Sequence, residues 1–124
     1  MAVATAAGLV AIGVGALVAP RMASVQYGIV LDDPRALAFI RAMGVRDVMI
    51  GVVLALLAAA GASVALGWAM SSAALVAAVD YLVVSTDAPA TSRDVTRARV
   101  RARLLHGGSA VVLVAAAVLL LTGR

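Results

Sequence analysis

The sequence predicts an all-α polytopic membrane protein, a bundle of four transmembrane helices with short extramembrane connections. Three observations lead to this prediction: 65% of the 124 residues are hydrophobic, 13% are charged, and the charged residues lie between long apolar runs. Soluble proteins have about 45–50% apolar and about 25% charged residues. A soluble chain of this length has too little interior for so much apolar surface. We therefore expect a single membrane domain over residues 1–124.

The uncharged runs define the spans, because a transmembrane helix needs about 20 apolar residues. The first run ends at Pro20-Arg21 and has no basic segment before it, which favours a membrane span over a secretory signal peptide. The Gly61-Ala62-Ser63 sequence predicts a turn between the second and third spans. The predicted spans cover approximately residues 2–19, 44–60, 64–84 and 104–122.

Two charged connections join these spans. In the first, over residues 20–40, Asp32-Asp33-Pro34 predicts the start of a helix, since Asp caps helices and Pro suits their first turn. We expect this short interfacial helix to lead into the second span. The second connection ends in Arg93–Arg103, which carries five arginines. We expect this stretch to contact anionic lipid headgroups.

The distribution of arginine predicts the orientation. Four spans place residues 20–43 and 85–103 on one side of the membrane, and both termini on the other. Eight of the ten arginines lie in these two connections, Arg46 lies at the adjoining end of the second span, and Arg124 lies opposite. The positive-inside rule makes the first side cytoplasmic. The basic residues are all Arg, the acidic residues are all Asp, and Ala, Val and Gly abound, which is typical of a bacterium with high genomic GC content. We therefore predict a bacterial inner-membrane protein with both termini outside.

Other partners and cofactors are not predicted. The net charge of +4 does not indicate nucleic-acid binding, because only 3% of residues are aromatic and the orientation explains the arginines. The chain has no cysteine, which excludes a disulfide framework and a thiolate metal site. Its single histidine cannot supply bis-histidine haem ligation. We expect neither a metal site nor a cofactor.

Three isolated polar residues, Asp47, Asp80 and His106, lie near the predicted cytoplasmic ends of the second, third and fourth spans. The connectivity therefore places them at similar depth in the membrane. A histidine that titrates near neutral pH and a carboxylate in an apolar cavity form a general acid/base pair. We predict that these three residues are catalytic. The alternative is a structural network that holds the helices together, in which Arg46 pairs with Asp80 or Asp47 and His106 caps or bridges helices.

Several neighbours of these residues are candidate binding residues. Arg46 and Arg41 are potential counter-ions at the same depth, and Tyr81 follows Asp80 as a potential interfacial anchor. Gly44 and Gly51 share a helix face with Asp47, where they permit either close helix contact or space for a ligand. On the first span, a face of small residues predicts close helix packing: Ala4, Gly8, Ala11 and Gly15.

The element Arg-x-x-Gly-x-Arg-Asp-x-x-x-Gly over residues 41–51 resembles a family of small bacterial four-helix membrane proteins. This family is catalogued as a domain of unknown function and is distantly similar to DoxX-like proteins. The likeness extends to Pro20, Tyr27-Gly28, Asp80 and His106. It implies the four-helix fold and the importance of these positions, and it implies no mechanism.

Three functions are compatible with these features. We expect an isomerase or cyclase that uses acid/base chemistry on a lipophilic small molecule in a cytoplasm-facing pocket, with Arg46 as the orienting counter-ion. A small proton-coupled transporter is the alternative, although the small multidrug-resistance transporters have their essential acidic residue in the first helix and this chain has none there. The third is a non-catalytic accessory subunit. A homo-oligomer is expected because four thin helices enclose little volume.

Overall fold

The computed structural model describes residues 2–26, 31–86 and 93–123. Within these ranges the chain forms five α-helices and no strand, which confirms the all-α prediction. The helices are α1 (Ala2–Val18), α2 (Pro20–Gln26), α3 (Pro34–Ala59), α4 (Ser63–Thr86) and α5 (Arg93–Leu121).

Two helices of the described chain are long and apolar enough to cross a membrane. They are α3 and the Ser63–Asp80 part of α4. Shorter apolar helical stretches cover Ala2–Val18 and Val111–Leu121. Each long helix also exposes large apolar side chains, including Val18, Leu56, Leu75 and Val111. Exposed apolar surface of this extent is typical of a face that contacts a membrane or another protein.

The first connection contains a short helix that the sequence did not predict. Hydrogen bonding continues across the boundary between α1 and α2, where the amide of Ala19 bonds to Gly15 at 2.9 Å and the amide of Ala23 bonds to Ala19 at 3.0 Å. The first helix was expected to end at Pro20, and α1 does end at Val18; Pro20 then opens α2, which was not expected. Proline fits the first turn of a helix because the amide at that position has no intrahelical partner.

The predicted start of α3 and the predicted turn after it are both confirmed. The Asp33 side chain accepts a hydrogen bond from the amide of Arg35 at 3.1 Å, and Pro34 occupies the first turn. From there α3 continues for 26 residues, so the expected interfacial helix and the second span form one helix. Gly61 has φ 64°, a left-handed conformation that suits glycine, and α4 begins two residues later.

The long helices form two antiparallel pairs. α1 packs along α3, α4 packs along α5, and contacts between the two pairs are fewer. The main core, which includes the fully buried Leu54 and Met70, lies toward the turn between α3 and α4. A smaller cluster of Ala16, Ala23 and Ile40 lies toward the opposite end, beneath α2.

The small-residue face predicted for α1 is not the face that packs. A Cβ atom on Gly8 or Gly15 would meet nothing within 4 Å, whereas α1 buries Ala6, Gly13 and Ala16. Nearly every residue of α1 is small or aliphatic, so several of its faces satisfy the same spacing rule. Packing against α3 selects among them, and this choice is not encoded in α1 alone.

Candidate functional site

Asp47 lies on the buried face of α3. The buried residues of this helix recur at steps of three and four, which places them on one side: Leu37, Ile40, Gly44, Asp47, Gly51 and Leu54. Asp47 is the ionisable member of this face, and its side chain is only 9% exposed. A buried carboxylate needs charged or hydrogen-bonding partners, because loss of hydration destabilises its ionised form.

Arg46 supplies such a partner to Asp47 and links it to a second carboxylate. Its Nε and Nη2 atoms each donate to Asp47 Oδ1 at 3.1 Å. Nη2 also donates to Asp80 Oδ2 at 2.8 Å, and Nη1 donates to Asp80 Oδ1 at 3.4 Å. A single guanidinium thus contacts two carboxylates, and we refer to Arg46, Asp47 and Asp80 as the ionic cluster.

The ionic cluster connects the two helix pairs. Arg46 and Asp47 belong to α3 of the first pair, and Asp80 belongs to α4 of the second pair. The sequence separation between Arg46 and Asp80 is 34 residues, yet the turn after α3 brings them to the same level. The proximity of the two aspartates, inferred from connectivity, is therefore present in the structure.

Gly44 and Gly51 serve close helix contact. A Cβ atom on Gly44 would lie 2.7 Å from the carbonyl oxygen of Gly13, and one on Gly51 would lie 2.7 Å from that of Ala6. Atoms of α1 therefore fill the space beside both glycines. Of the two roles considered from the sequence, the structure shows backbone contact at these positions, and the ligand-accessible space lies elsewhere.

A cavity of about 530 Å³ opens beside the ionic cluster. Its volume lies within the range of about 300–1,000 Å³ that is common for small-molecule sites. Among the described residues, its polar lining comes from the ionic cluster and Gln26, and the rest is apolar or glycine. One chain therefore forms a half-open cavity of ligand size by itself, so the lack of space within one chain is no longer a reason to expect an oligomer. The oligomeric state stays a prediction.

The ionic cluster divides the cavity into two ends. Toward the turn between α3 and α4, the lining is aliphatic and includes Leu9, Ile50 and Leu113. Toward the opposite end, α2 contributes Met22, Ala23 and Gln26. Sequence reasoning missed these α2 residues as site residues, because the proline before them was interpreted as a helix end.

Residues 6–120 match the family model described as "Domain of unknown function (DUF4267)". The chain belongs to this family. The matched range contains the whole ionic cluster and every described residue that lines the cavity. No curated protein and no solved structure matches the chain.

The remaining predicted site residues of this DUF4267 member are less defined. Arg41 lies on α3, is exposed, and does not contribute to the cavity lining. The side chains of Tyr81 and His106, and of all the arginines in Arg93–Arg103, fall outside the described part of the structure. Tyr27-Gly28, part of the resemblance, also lies outside it. The predictions that concern these residues stay predictions.

Among the residues that the structure describes, no three His, Cys, Asp or Glu side chains come together in a geometry suited to a metal ion. At the ionic cluster itself, the guanidinium of Arg46 lies between the two carboxylates. The arrangement therefore suits proton transfer and recognition of polar groups in an apolar cavity.

Proposed function

We propose that the chain is a four-span integral protein of a bacterial inner membrane, with its arginine-rich connections in the cytoplasm. The candidate spans α3 and α4, the apolar stretches of α1 and α5, and the exposed aliphatic surface support this topology. The exposed Arg41 serves as the reference point from which depth along α3 is measured. At 1.5 Å per residue, the α3 segment from Arg41 to Ala59 measures about 27 Å, close to the hydrocarbon thickness of about 30 Å.

On this scale the ionic cluster lies inside the hydrocarbon region. Asp47 is six residues beyond Arg41, or about 9 Å deeper along the helix axis. Ionisable residues at such depth are costly and commonly mark functional sites. The cavity beside the cluster is accordingly reachable by molecules that dissolve in the bilayer.

Within this membrane setting, the best-supported activity is acid/base catalysis of the isomerase or cyclase type on a lipophilic small molecule. The observation that supports it most is that Asp47 and Asp80, from different helix pairs, meet Arg46 in the wall of a ligand-sized cavity. A carboxylate that takes a proton from one position of a molecule and returns it at another rearranges that molecule without a co-reactant.

The geometry supports different roles for the two aspartates. The Asp80 side chain is 19% exposed and the Asp47 side chain is 9% exposed, so Asp80 is the better placed to contact a ligand. We assign proton transfer to Asp80, and Asp47 is the second carboxylate of the acid/base pair. Arg46 orients both carboxylates, and His106 is the proposed proton partner on the basis of sequence position.

Mass spectrometry of lipophilic metabolites tests this activity in cells that express the wild-type protein or Asp80→Asn at matched levels. Asp32→Asn is the control, because it makes the same charge change at an exposed position outside the cavity. We expect a compound and its isomer to interconvert with wild type and the control. The rate should fall at least about 100-fold with Asp80→Asn, the usual contribution of a general acid/base. Equal conversion by Asp80→Asn and wild type would falsify the role assigned to Asp80.

A second candidate function is proton-coupled transport. The observation that favours it is that few contacts join the two helix pairs, while the 2.8 Å ion pair of Arg46 and Asp80 links them. Two bodies that rock about a central site are the usual architecture of alternating access. In the same cells, transport predicts that a compound moves between cells and medium while its structure stays unchanged. If neither isomerisation nor redistribution responds to Asp80→Asn, the accessory-subunit hypothesis takes precedence.

A further inference from the structure

The charge balance of the ionic cluster distinguishes among ligands. Two ionised carboxylates and one guanidinium give the cluster a formal charge of −1. Arg46 shares its single positive charge between Asp47 and Asp80. Within the described chain, no other arginine lines the cavity. A region of low dielectric constant strengthens the interaction between such a cluster and a ligand charge.

The hydrogen bonds within the cluster favour the same kind of ligand as its charge. Four contacts direct the N–H groups of Arg46 at Asp47 and Asp80, so the guanidinium is already engaged where a carboxylate or phosphate ligand would need it. Each oxygen of Asp80 accepts one of these contacts, and a carboxylate oxygen has room for a further donor. The cluster therefore offers acceptors to the cavity and favours a ligand that donates.

The shape of the cavity predicts where the donor group of a ligand lies relative to its apolar part. Aliphatic residues line the end toward the α3–α4 turn, and the ionic cluster lies between this end and the α2 residues. A ligand that fits both regions has an apolar body and a charged group at one edge. We infer that the cavity binds a lipophilic molecule that carries one cationic nitrogen, a protonated amine, with the nitrogen at Asp80.

This inference rests on the proposed function and names its substrate class. The ammonium N–H beside Asp80 is then the proton that the general base removes: the N–H bond breaks, and an O–H bond forms on the carboxyl group. The electron pair of the broken N–H bond stays on the nitrogen as the lone pair of the uncharged amine. A molecule of the same shape with a hydroxyl group has no charge, and one with a carboxylate has a negative charge. Both therefore bind more weakly than the amine.

Three adamantane derivatives with the same cage test this specificity: adamantan-1-amine, adamantan-1-ol and adamantane-1-carboxylate. Binding is measured by calorimetry to the full chain in nanodiscs of phosphatidylcholine, a lipid without net charge, and protein-free nanodiscs are subtracted. We expect the amine to bind at least about tenfold more tightly than the alcohol, because charge-assisted hydrogen bonds are about twice as strong as neutral ones. The carboxylate should bind most weakly.

The variants locate the interaction. Asp80→Asn should abolish the preference for the amine over the alcohol, and Asp32→Asn should retain it because Asp32 lies outside the cavity. The inference is overturned if the alcohol or the carboxylate binds as tightly as the amine, if the amine does not bind, or if Asp80→Asn keeps the preference. These outcomes concern binding and do not depend on turnover. If they overturn this inference, the metabolite experiment still detects acid/base catalysis on a neutral substrate.

Discussion

The two helix pairs achieve close packing in different ways. In the α1/α3 pair, glycines bring the backbones together: a Cβ atom on Gly13 would lie 2.5 Å from the carbonyl oxygen of Gly44. In the α4/α5 pair, the closest approach to Gly67 is a side chain, with Leu121 Cγ 2.8 Å from the corresponding position. Backbone contact allows little adjustment, whereas a leucine side chain can change its rotamer.

This difference matters because the ionic cluster bridges the pairs. Arg46 and Asp47 lie on α3, which contacts the α1 backbone at Gly44 and Gly51, and Asp80 lies on α4, which contacts a side chain at Gly67. The first pair therefore provides the fixed side of the cavity wall, and the second provides the side with more freedom to adapt to a ligand. Four substitutions test this contrast through thermal unfolding of the purified protein in detergent.

The largest effect is expected from Arg46→Gln. This change leaves two partly buried carboxylates without their shared cation and should lower the unfolding free energy by about 3 kcal/mol, the low end for breaking a buried ion pair. The low end applies because the Arg46 side chain is 35% exposed. Arg41→Gln on the same helix is the control and should change stability by less than about 0.5 kcal/mol. Equal effects of the two changes would show that the cluster does not join the pairs.

Gly13→Ala tests the backbone contact of the first pair. Its Cβ atom would meet the carbonyl oxygen of Gly44, which cannot move without shifting α3. We expect a loss of about 1–3 kcal/mol, as for other overpacked sites. Gly8→Ala is the matched control on the opposite face, where a Cβ atom meets nothing within 4 Å. It should stabilise α1 slightly, by up to about 1 kcal/mol, because Ala has the higher helix propensity.

Asp33→Ala tests how firmly α3 is fixed at its start. It removes the side-chain acceptor of the Arg35 amide and should cost about 1 kcal/mol, as for other N-cap residues. Asp32→Ala removes a neighbouring exposed carboxylate that is 3.8 Å from Arg21. It should have an effect below about 0.5 kcal/mol. If Asp33→Ala and Asp32→Ala have the same unfolding free energy, the cap does not stabilise α3 within the folded pair.

The smallest effect is expected from Gly67→Ala in the second pair. The new methyl group meets the end of the Leu121 side chain, which can move aside. The strain of this contact lowers the unfolding free energy, and the higher helix propensity of Ala raises it. The two effects should cancel to within about 0.5 kcal/mol. A loss as large as that of Gly13→Ala would remove the contrast between the two pairs.

The sequence predicted the helical fold and the similar depth of Asp47 and Asp80, because both depend on connectivity. Once α3 and α4 are joined by a turn at Gly61, two residues near the same end of an antiparallel pair must lie at similar depth. The adjacent Arg46 was correctly identified as a counter-ion. These predictions needed only the positions of apolar runs, charges and turn residues.

The choice of helix faces and the presence of α2 could not be predicted in this way. Gly8 and Gly13 are both small residues of α1, and only the partner helix distinguishes the exposed one from the buried one. Pro20 is compatible with the end of one helix and with the start of another. The residues of α2 that line the cavity were therefore missed, and the cavity itself depends on how all the helices pack.

The contact between Arg46 and Asp47 also affects how the protein enters a membrane. These residues are neighbours in the chain, so their ion pair forms within α3 and requires no other helix. In the proposed four-span arrangement, α3 is then inserted with its arginine and aspartate already neutralised. The counter-ion of Asp80 is Arg46 on the preceding helix, α3. A turn of three residues separates α3 from α4, the helix of Asp80. Insertion of α3 and α4 together as a hairpin avoids the cost of about 2.5–3.5 kcal/mol for an unpaired Asp at the centre of a lone helix.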